Sequence, residues 1–370
     1  MNLDFSDDQK LLQDEARKFL SKEQALLRNR TVLEENNKVD KDLWEKIVAL
    51  GWTGIRIPEE YNGLDLGHLE LCVIAEELGR FLAPVPFSSS VYLFTEAIIN
   101  YADDEIKSHF LPKLVSGEII GTIAVTEDLK APSENNILVT ENNGIINGKK
   151  IAVPDAEIST HSVVVCKCES GISLQLVDLS SPGVTIEQQE TIDDSRGHFL
   201  INFENVESNL IGDKGNGWKS YETLINQAAV FFSYEQIGGS QATLDMAINY
   251  AKERYAFGRP IGSYQAIKHK LADMYIALTL AKSNCYYAAW ALSTNSSDFP
   301  SASATARVSA TKAYQLCSQE NIQTHGGNGF TWEYDCHMFY RRSKLLSLNI
   351  GSLSNWREKL VTSLEQSNIN

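Results

Sequence analysis

The 370 residues are 43% hydrophobic and 22% charged, which supplies a sizeable core and suits about two or three domains. A formal net charge of -15, from 33 Lys+Arg against 48 Asp+Glu, repels a phosphate backbone and sets nucleic acid aside as a partner. No stretch approaches the roughly 18 uninterrupted apolar residues of a membrane span, and MNLDFSDDQKLLQDEARKFL carries acids where a signal peptide needs bases, so a cytoplasmic protein is expected.

Up to about residue 118 the pattern is helical. Ser6 and Gln9 are spaced as a capping box ahead of Leu11, Leu12, Ala16 and Phe19, which recur at helical intervals. Further helices are expected over Asp42 to Leu50, His68 to Leu82 and Asp103 to Val115, broken by Gly51, YNGLDLG, Pro84 with Pro86, and Gly117. Over 119–213 the runs GTIAVTE, GIINGKKIAV, HSVVVCK, ISLQLVDL and GHFLINFENV alternate with Gly, Asn, Asp and Ser, the grammar of a compact antiparallel β domain, barrel or sandwich. Cys166 and Cys168 share one face of such a strand and His161 points to the other. None of the six cysteines forms a CxxC pair, so reduced, packed thiols are expected and no metal site.

From 214 to 370 the helical period returns, with long segments near 216–253, 262–294, 299–325 and 354–366. Four long helices with little strand between them predict a bundle. The fold class is therefore α+β multidomain: a helical domain over 1–118, a β domain over 119–213 and a four-helix bundle over 214–370.

Four motifs occur in order: GWTGIRIPEEYNGLDLGHLELCVIAEELGR, AVTE, RYAFGRPIGSYQAIKHKLADM and QTHGGNGFTWEYDCHMFYRRSK. Through them essentially the whole chain resembles the acyl-CoA dehydrogenase family. The resemblance implies FAD lying extended at a subunit interface, with its adenine and pyrophosphate end held by the neighbouring chain's bundle. Arg254, Phe257, Gln265, Gln323 and Gly327 occupy the places that do this, assisted by Gly258 and Gly326. Arg254 is a fixed cation for a pyrophosphate oxygen, and paired glycines let a phosphate or ribose approach bare backbone. At least a dimer is implied, as a homo-oligomer or as a hetero-oligomer with another family member.

The family reaction is α,β-dehydrogenation of an acyl-CoA thioester, and it needs a carboxylate base and an oxyanion hole. At the usual base position this chain has Ile350, followed by Gly351 and Ser352 in the flavin-contacting Gly-Thr places. At the minority position, on the first bundle helix, it has Ala228. Glu222 and Glu235 flank Ala228, and Glu235, two turns on, is the candidate for a relocated base. The backbone N–H at position 350 survives as an oxyanion donor. The family's Gly-rich flavin loop is replaced by DLKAPSEN, without glycine from Asp128 to Ser133 and with Pro132 lacking an amide. Ala152, Val153 and Pro154 stand where Trp-Ile-Thr/Ser usually meets the flavin ring, while Val125 and Thr126 remain as ring contacts.

Three readings follow: a dehydrogenase active alone with a displaced base, the base-less subunit of a heteromeric dehydrogenase, or a non-catalytic acyl-CoA or flavin-binding scaffold. The closing RRSKLLSLNIGSLSNWREKL resembles bacterial members, including sterol side-chain dehydrogenases, in which paired subunits occur. The resemblance also implies electron-transfer flavoprotein as the electron acceptor.

Overall fold

The computed structural model describes residues 5–369; Met1 to Asp4, which begin the N-terminal segment read above, and Asn370 lie outside the described residues. The N-terminal part is helical: α1 (Asp7–Lys22), α2 (Ala25–Glu35), α3 (Lys41–Ala49), α4 (His68–Arg80), α5 (Glu96–Tyr101) and α6 (Asp104–Val115). The capping box forms, with the Gln9 amide donating to Ser6 Oγ at 3.2 Å and the Ser6 amide to Gln9 Oε1 at 2.9 Å. Asp40 and Asp103 cap α3 and α6 in the same way, satisfying amides that a helix start leaves without partners. Two helical pieces go beyond the expectation. In α2 the run Arg28-Asn29-Arg30 interrupts the apolar period, and Ser88–Thr95 is wound as a π-helix that leads into α5.

The middle part holds β1 (Gly121–Ala124), β2 (Thr140–Asn142), β3 (Ile145–Pro154), β4 (His161–Cys168), β5 (Gly171–Asp178), β6 (Val184–Gln189), β7 (His198–Glu207) and β8 (Asn209–Ile211). They form one sheet in the order β6-β7-β3-β2-β4-β5-β8, with β1 also on β4. Most pairs are antiparallel, but β1 and β2 each run parallel to β4. Parallel partners need a crossover of about a dozen residues or more, and residues 125–160 between β1 and β4, and 143–160 between β2 and β4, supply it.

The C-terminal part contains α7 (Gly217–Glu253), a hairpin of β9 (Tyr255–Ala256) with β10 (Arg259–Pro260), then α8 (Gln265–Ser293), α9 (Phe299–His325), α10 (Cys336–Leu346) and α11 (Leu353–Ile369). The short α10 escapes periodicity because its buried face includes Cys336, Arg342 and Ser343.

By packing, the chain divides into two interleaved compact units. One comprises the chain up to Arg30, His68–Ala83 and everything from Ala229 onward. In it α9 packs on α8, α10 and α11, and α1 packs on α4. Where α4 meets α7 the backbones touch: a Cβ on Gly79 would lie 2.0 Å from the Glu235 carbonyl, and one on Gly238 would lie 1.9 Å from that of Glu76. Only glycine allows that approach.

The other unit comprises Thr31–Gly67 and Pro84–Ala228. Its core is the sheet's inner face, with Ile146, Val164, Cys166, Val177, Phe199 and Phe203 among the buried residues. Gly121 on β1 lies hard against the Phe94 ring of the π-helix. The six cysteines are free thiols and all are buried, as the dispersed spacing predicts.

Candidate functional site

The end of the bundle gathers the residues of the third and fourth motifs. The α7 helix stops at Glu253, and the chain turns through a hairpin whose two loop residues, Phe257 and Gly258, have φ of 51° and 80°. Such paired left-handed residues suit a tight hairpin, but a phenylalanine there is strained, and strain of this kind gathers at functional positions. The Phe257 ring is 96% exposed. The Ile261 amide returns to the Arg254 carbonyl at 2.8 Å, and Gln265 opens α8.

The far end of α9 is tied to the same place. His325 stacks on Tyr250 with ring centroids 4.1 Å apart, and Asn328 Nδ2 donates to the Tyr250 hydroxyl at 3.1 Å. These contacts bring Gln323 and Gly327 to the end that carries Arg254, and all three are exposed. A Cβ added at Gly258, Gly326 or Gly327 would meet nothing within 4 Å. The surface is thus bare backbone beside a cation, two amide side chains and the exposed rings of Phe257, Tyr255 and Phe330. A diphosphate with a flat heterocycle matches that set: charge for the phosphates, amides for the polar edges, aromatic faces for the ring.

The turn after α10 carries the usual base position. Arg307 of α9, 1% exposed, sends Nη1 to Gln236 Oε1 at 2.9 Å and Nη2 to the Leu346 carbonyl and to Asn349 Oδ1, the latter at 2.9 Å. Burial pushes its guanidinium down to about 9, with the Glu235 charge pulling the other way. The Ile350 carbonyl accepts from Trp356 Nε1 at 3.1 Å, Gly351 adopts φ 105°, and Ser352 is held by Asn355. Glu235 itself is buried on α7, an electrostatic neighbour of this arginine. Ala228 is fully buried; beside it, Gln227 Nε2 donates to Glu96 Oε2 at 2.5 Å, and Arg56 pairs with the same carboxylate at 3.1 Å. Burial raises the Glu96 pKa and Arg56 opposes it. Glu222 is half-buried.

The β-domain loop has a different character. Asp128 Oδ1 takes the Lys130 amide at 2.7 Å and Asn136 Oδ1 takes the Ser133 amide at 2.7 Å, while Pro132 has none to give. The Ala152 amide is occupied by Gln189 Oε1 at 2.7 Å, the Val153 side chain points into the core, and Pro154 again lacks a donor. Val125 and Thr126 follow the end of β1 and are half-buried. They are fixed by Lys150, a fully buried amine whose Nζ donates to the Val125 carbonyl at 3.0 Å and pairs with Glu127 Oε1 at 2.6 Å. Glu127 in turn accepts the Leu138 and Val139 amides. Burial lowers the Lys150 pKa to about 8 against the pull of Glu127.

The Lys150–Glu127 clamp and the Arg307 network were not singled out by sequence. A signal for the second existed: Ser303, Arg307, Ala310, Tyr314, Cys317 and Asn321 form one buried stripe at helical spacing on α9.

A cleft of about 540 Å³ lies among α1, α4, α7 and α8. Its charges are paired: within the lining Arg80 with Asp245 at 2.7 Å and Lys282 with Glu76 at 3.5 Å, and Arg17 with the neighbouring Glu77 at 2.6 Å. Among the described residues no three His, Cys, Asp or Glu are placed to hold a metal ion, and no helix is long and apolar enough to cross a membrane.

Residues 6–118 match the model of the acyl-CoA dehydrogenase N-terminal domain, and residues 215–355 match that of the C-terminal domain. A probable acyl-CoA dehydrogenase of Bacillus subtilis, YngJ, is 29% identical over 370 residues, covering 95% of this chain and 96% of that protein. Among solved structures, a variant of the Tcur3481-Tcur3483 steroid ACAD superposes with a TM-score of 0.89 at 26% identity, covering 98% of this chain and 99% of that one. The ChsE4-ChsE5 complex of Mycobacterium tuberculosis gives 0.90 at 22% identity, covering 99% of each chain.

Proposed function

Because the chain belongs to the acyl-CoA dehydrogenase family, we propose that it is the base-less subunit of a heteromeric dehydrogenase acting on an acyl-CoA thioester. In this reading it lends its bundle end to FAD seated in a partner subunit. The single observation that carries the reading is an asymmetry. The glycine cradle at Gly258, Gly326 and Gly327 is open, whereas the amides of Lys130, Ser133 and Ala152 on the β side are already taken.

When bound, FAD supplies the hydride acceptor. This chain's own residues do the rest of the holding. Arg254 pairs with a pyrophosphate oxygen, Gln265 and Gln323 meet polar edges, and Phe257 covers an aromatic face. Gly327 lets the ligand reach backbone. Only in the alternative, in which the chain works alone, would a thioester be presented to the Ile350 turn, where the Ile350 N–H would donate to its carbonyl oxygen and so favour loss of the neighbouring proton. In the main reading the carboxylate that takes the substrate's proton comes from the partner, since Ile350 and Ala228 have none to offer and Glu96 is paired with Arg56. The ring contacts of Val125 and Thr126, the Ser352 contact and a Glu235 base belong to the alternative, in which the chain works alone. Support for a paired assembly comes from a neighbour described as a complex of two proteins, ChsE4 and ChsE5. The same reading has the complex in the cytoplasm, passing electrons to an electron-transfer flavoprotein.

The test is to purify the chain alone and with a co-expressed family member that carries the Glu. Flavin should accompany only the pair, and acyl-CoA should bleach it. Flavin bound and reduced by substrate in the isolated chain would sink the heteromer. A pair that forms but holds no flavin would favour the non-catalytic scaffold.

A further inference from the structure

The cleft of about 540 Å³ among α1, α4, α7 and α8 lies within one compact unit, and none of the residues assigned to flavin lines it. Its ion pairs match charge for charge: Arg80 with Asp245, Lys282 with Glu76, and Arg17 with Glu77 behind the lining. An ion entering would find no counter-charge left over, so the lining suits an uncharged molecule.

One end of the cleft is aromatic. The Phe5 ring stands edge-on to Tyr286 with centroids 5.5 Å apart and is tilted to Tyr234 at 6.2 Å, an environment that takes a flat ring. With these rings come two polar groups of opposite need. Tyr234 is 2% exposed, and its buried hydroxyl has no hydrogen-bond partner among the described residues. Burial keeps it a neutral phenol, hence a donor, and a buried donor costs stability until an acceptor reaches it. Glu76, whose charge is felt at that hydroxyl, receives Gln13 Nε2 at 3.2 Å and the Lys282 ammonium at 3.5 Å. Two partners leave room on a group that can accept about four. Burial raises the Glu76 pKa and Lys282 opposes it, but a carboxyl group keeps an acceptor oxygen in either protonation state. Both groups sit on a crossing that cannot slide, because α4 and α7 touch through Gly79 at the Glu235 carbonyl and through Gly238 at that of Glu76.

We propose that this cleft binds a small uncharged molecule bearing a carboxamide on a flat ring. The amide carbonyl accepts from the Tyr234 hydroxyl, the amide N–H donates to Glu76, and the ring lies against Phe5 and Tyr286. A carboxamide presents an acceptor and a donor side by side, the complement of what the cleft offers. Binding is non-covalent and independent of where flavin or the catalytic carboxylate sits.

The test uses the purified chain with para-fluorobenzamide, followed by fluorine relaxation. One molecule per chain should bind, with a dissociation constant of about 1 mM or below for so few atoms. Para-fluorotoluene, which lacks the amide, and para-fluorobenzoate, which is charged, should bind at least about fivefold more weakly. Tyr234→Phe removes only the hydroxyl: it should weaken para-fluorobenzamide by about fivefold or more and leave the melting temperature unchanged or higher, since an unpartnered donor is gone. Ser283→Trp, at an exposed position of the lining, should block binding by filling the cleft. A melting temperature lowered by Tyr234→Phe would mean that the hydroxyl is already bonded in solution, and overturns the proposal. No binding up to about 10 mM, or binding that both substitutions leave unchanged, overturns it as well.

Discussion

The bundle end and the β-domain loop are two surfaces with opposite polar economies. At the bundle end Arg254 is exposed without an ion pair among the described residues, and three glycines face open space. On the β side, Asp128 and Asn136 of the loop and Gln189 of β6 accept from the chain's own amides. A surface with unspent donors is built for a ligand, whereas one whose donors are consumed is built for its own stability. On the proposed reading, the open surface is the one this chain would give to a neighbour and the occupied one is the one it would use for itself.

The comparison can be broken most directly at Arg254. In the co-expressed complex, Arg254→Ala should weaken flavin retention by about 10- to 100-fold, the value of a charge-assisted contact to a phosphate, read by equilibrium dialysis. Retention unchanged would remove the cation from the ligand surface. Gly327→Leu should cost about tenfold in retention by filling the open cradle, while the melting temperature stays within the scatter expected of a surface change; loss of fold would show the glycine to be structural instead. Ile350→Glu sharpens the contrast from the other side. Restoring the carboxylate in the isolated chain should change acyl-CoA turnover less than about twofold, because the loop still offers the flavin few donors, and a large gain would mean that the loop is competent after all.

The smallest effect concerns the clamp under Val125. The Lys150 pKa is depressed to about 8 from an ordinary 10.5, so between those values the unfolded chain retains a proton that the folded chain has released. Stability should then rise with pH across that window, on the order of 1 kcal/mol relative to Lys150→Met. Urea midpoints at pH 8 and pH 10 for both proteins check the sign.

Much of the fold was legible because it follows from periodicity. The Ser6/Gln9 capping box and the long helices α7, α8 and α9 are patterns of local chemistry, and the structure has them within a few residues. The parallel pairing of β1 and β2 with β4 was not legible, since strand direction depends on which distant segments meet. At the site, Arg254 and the glycines were readable as motifs. Consumption of the Lys130 and Ser133 amides was not, because an Asx hydrogen bond depends on a loop conformation that composition does not fix. Lys150 and Arg307 were invisible for a related reason: a buried cation is identified by its partners, and those lie 23 and 71 residues away at Glu127 and Gln236.

The six buried thiols also make a clock. Cys72, Cys285, Cys317 and Cys336 belong to the helical unit, and Cys166 and Cys168 to the unit built on the sheet. A reagent that alkylates thiols can reach them only when the surrounding structure opens. Labelling rates at the two sets, measured under native conditions, therefore time the breathing of each unit separately, without any introduced probe.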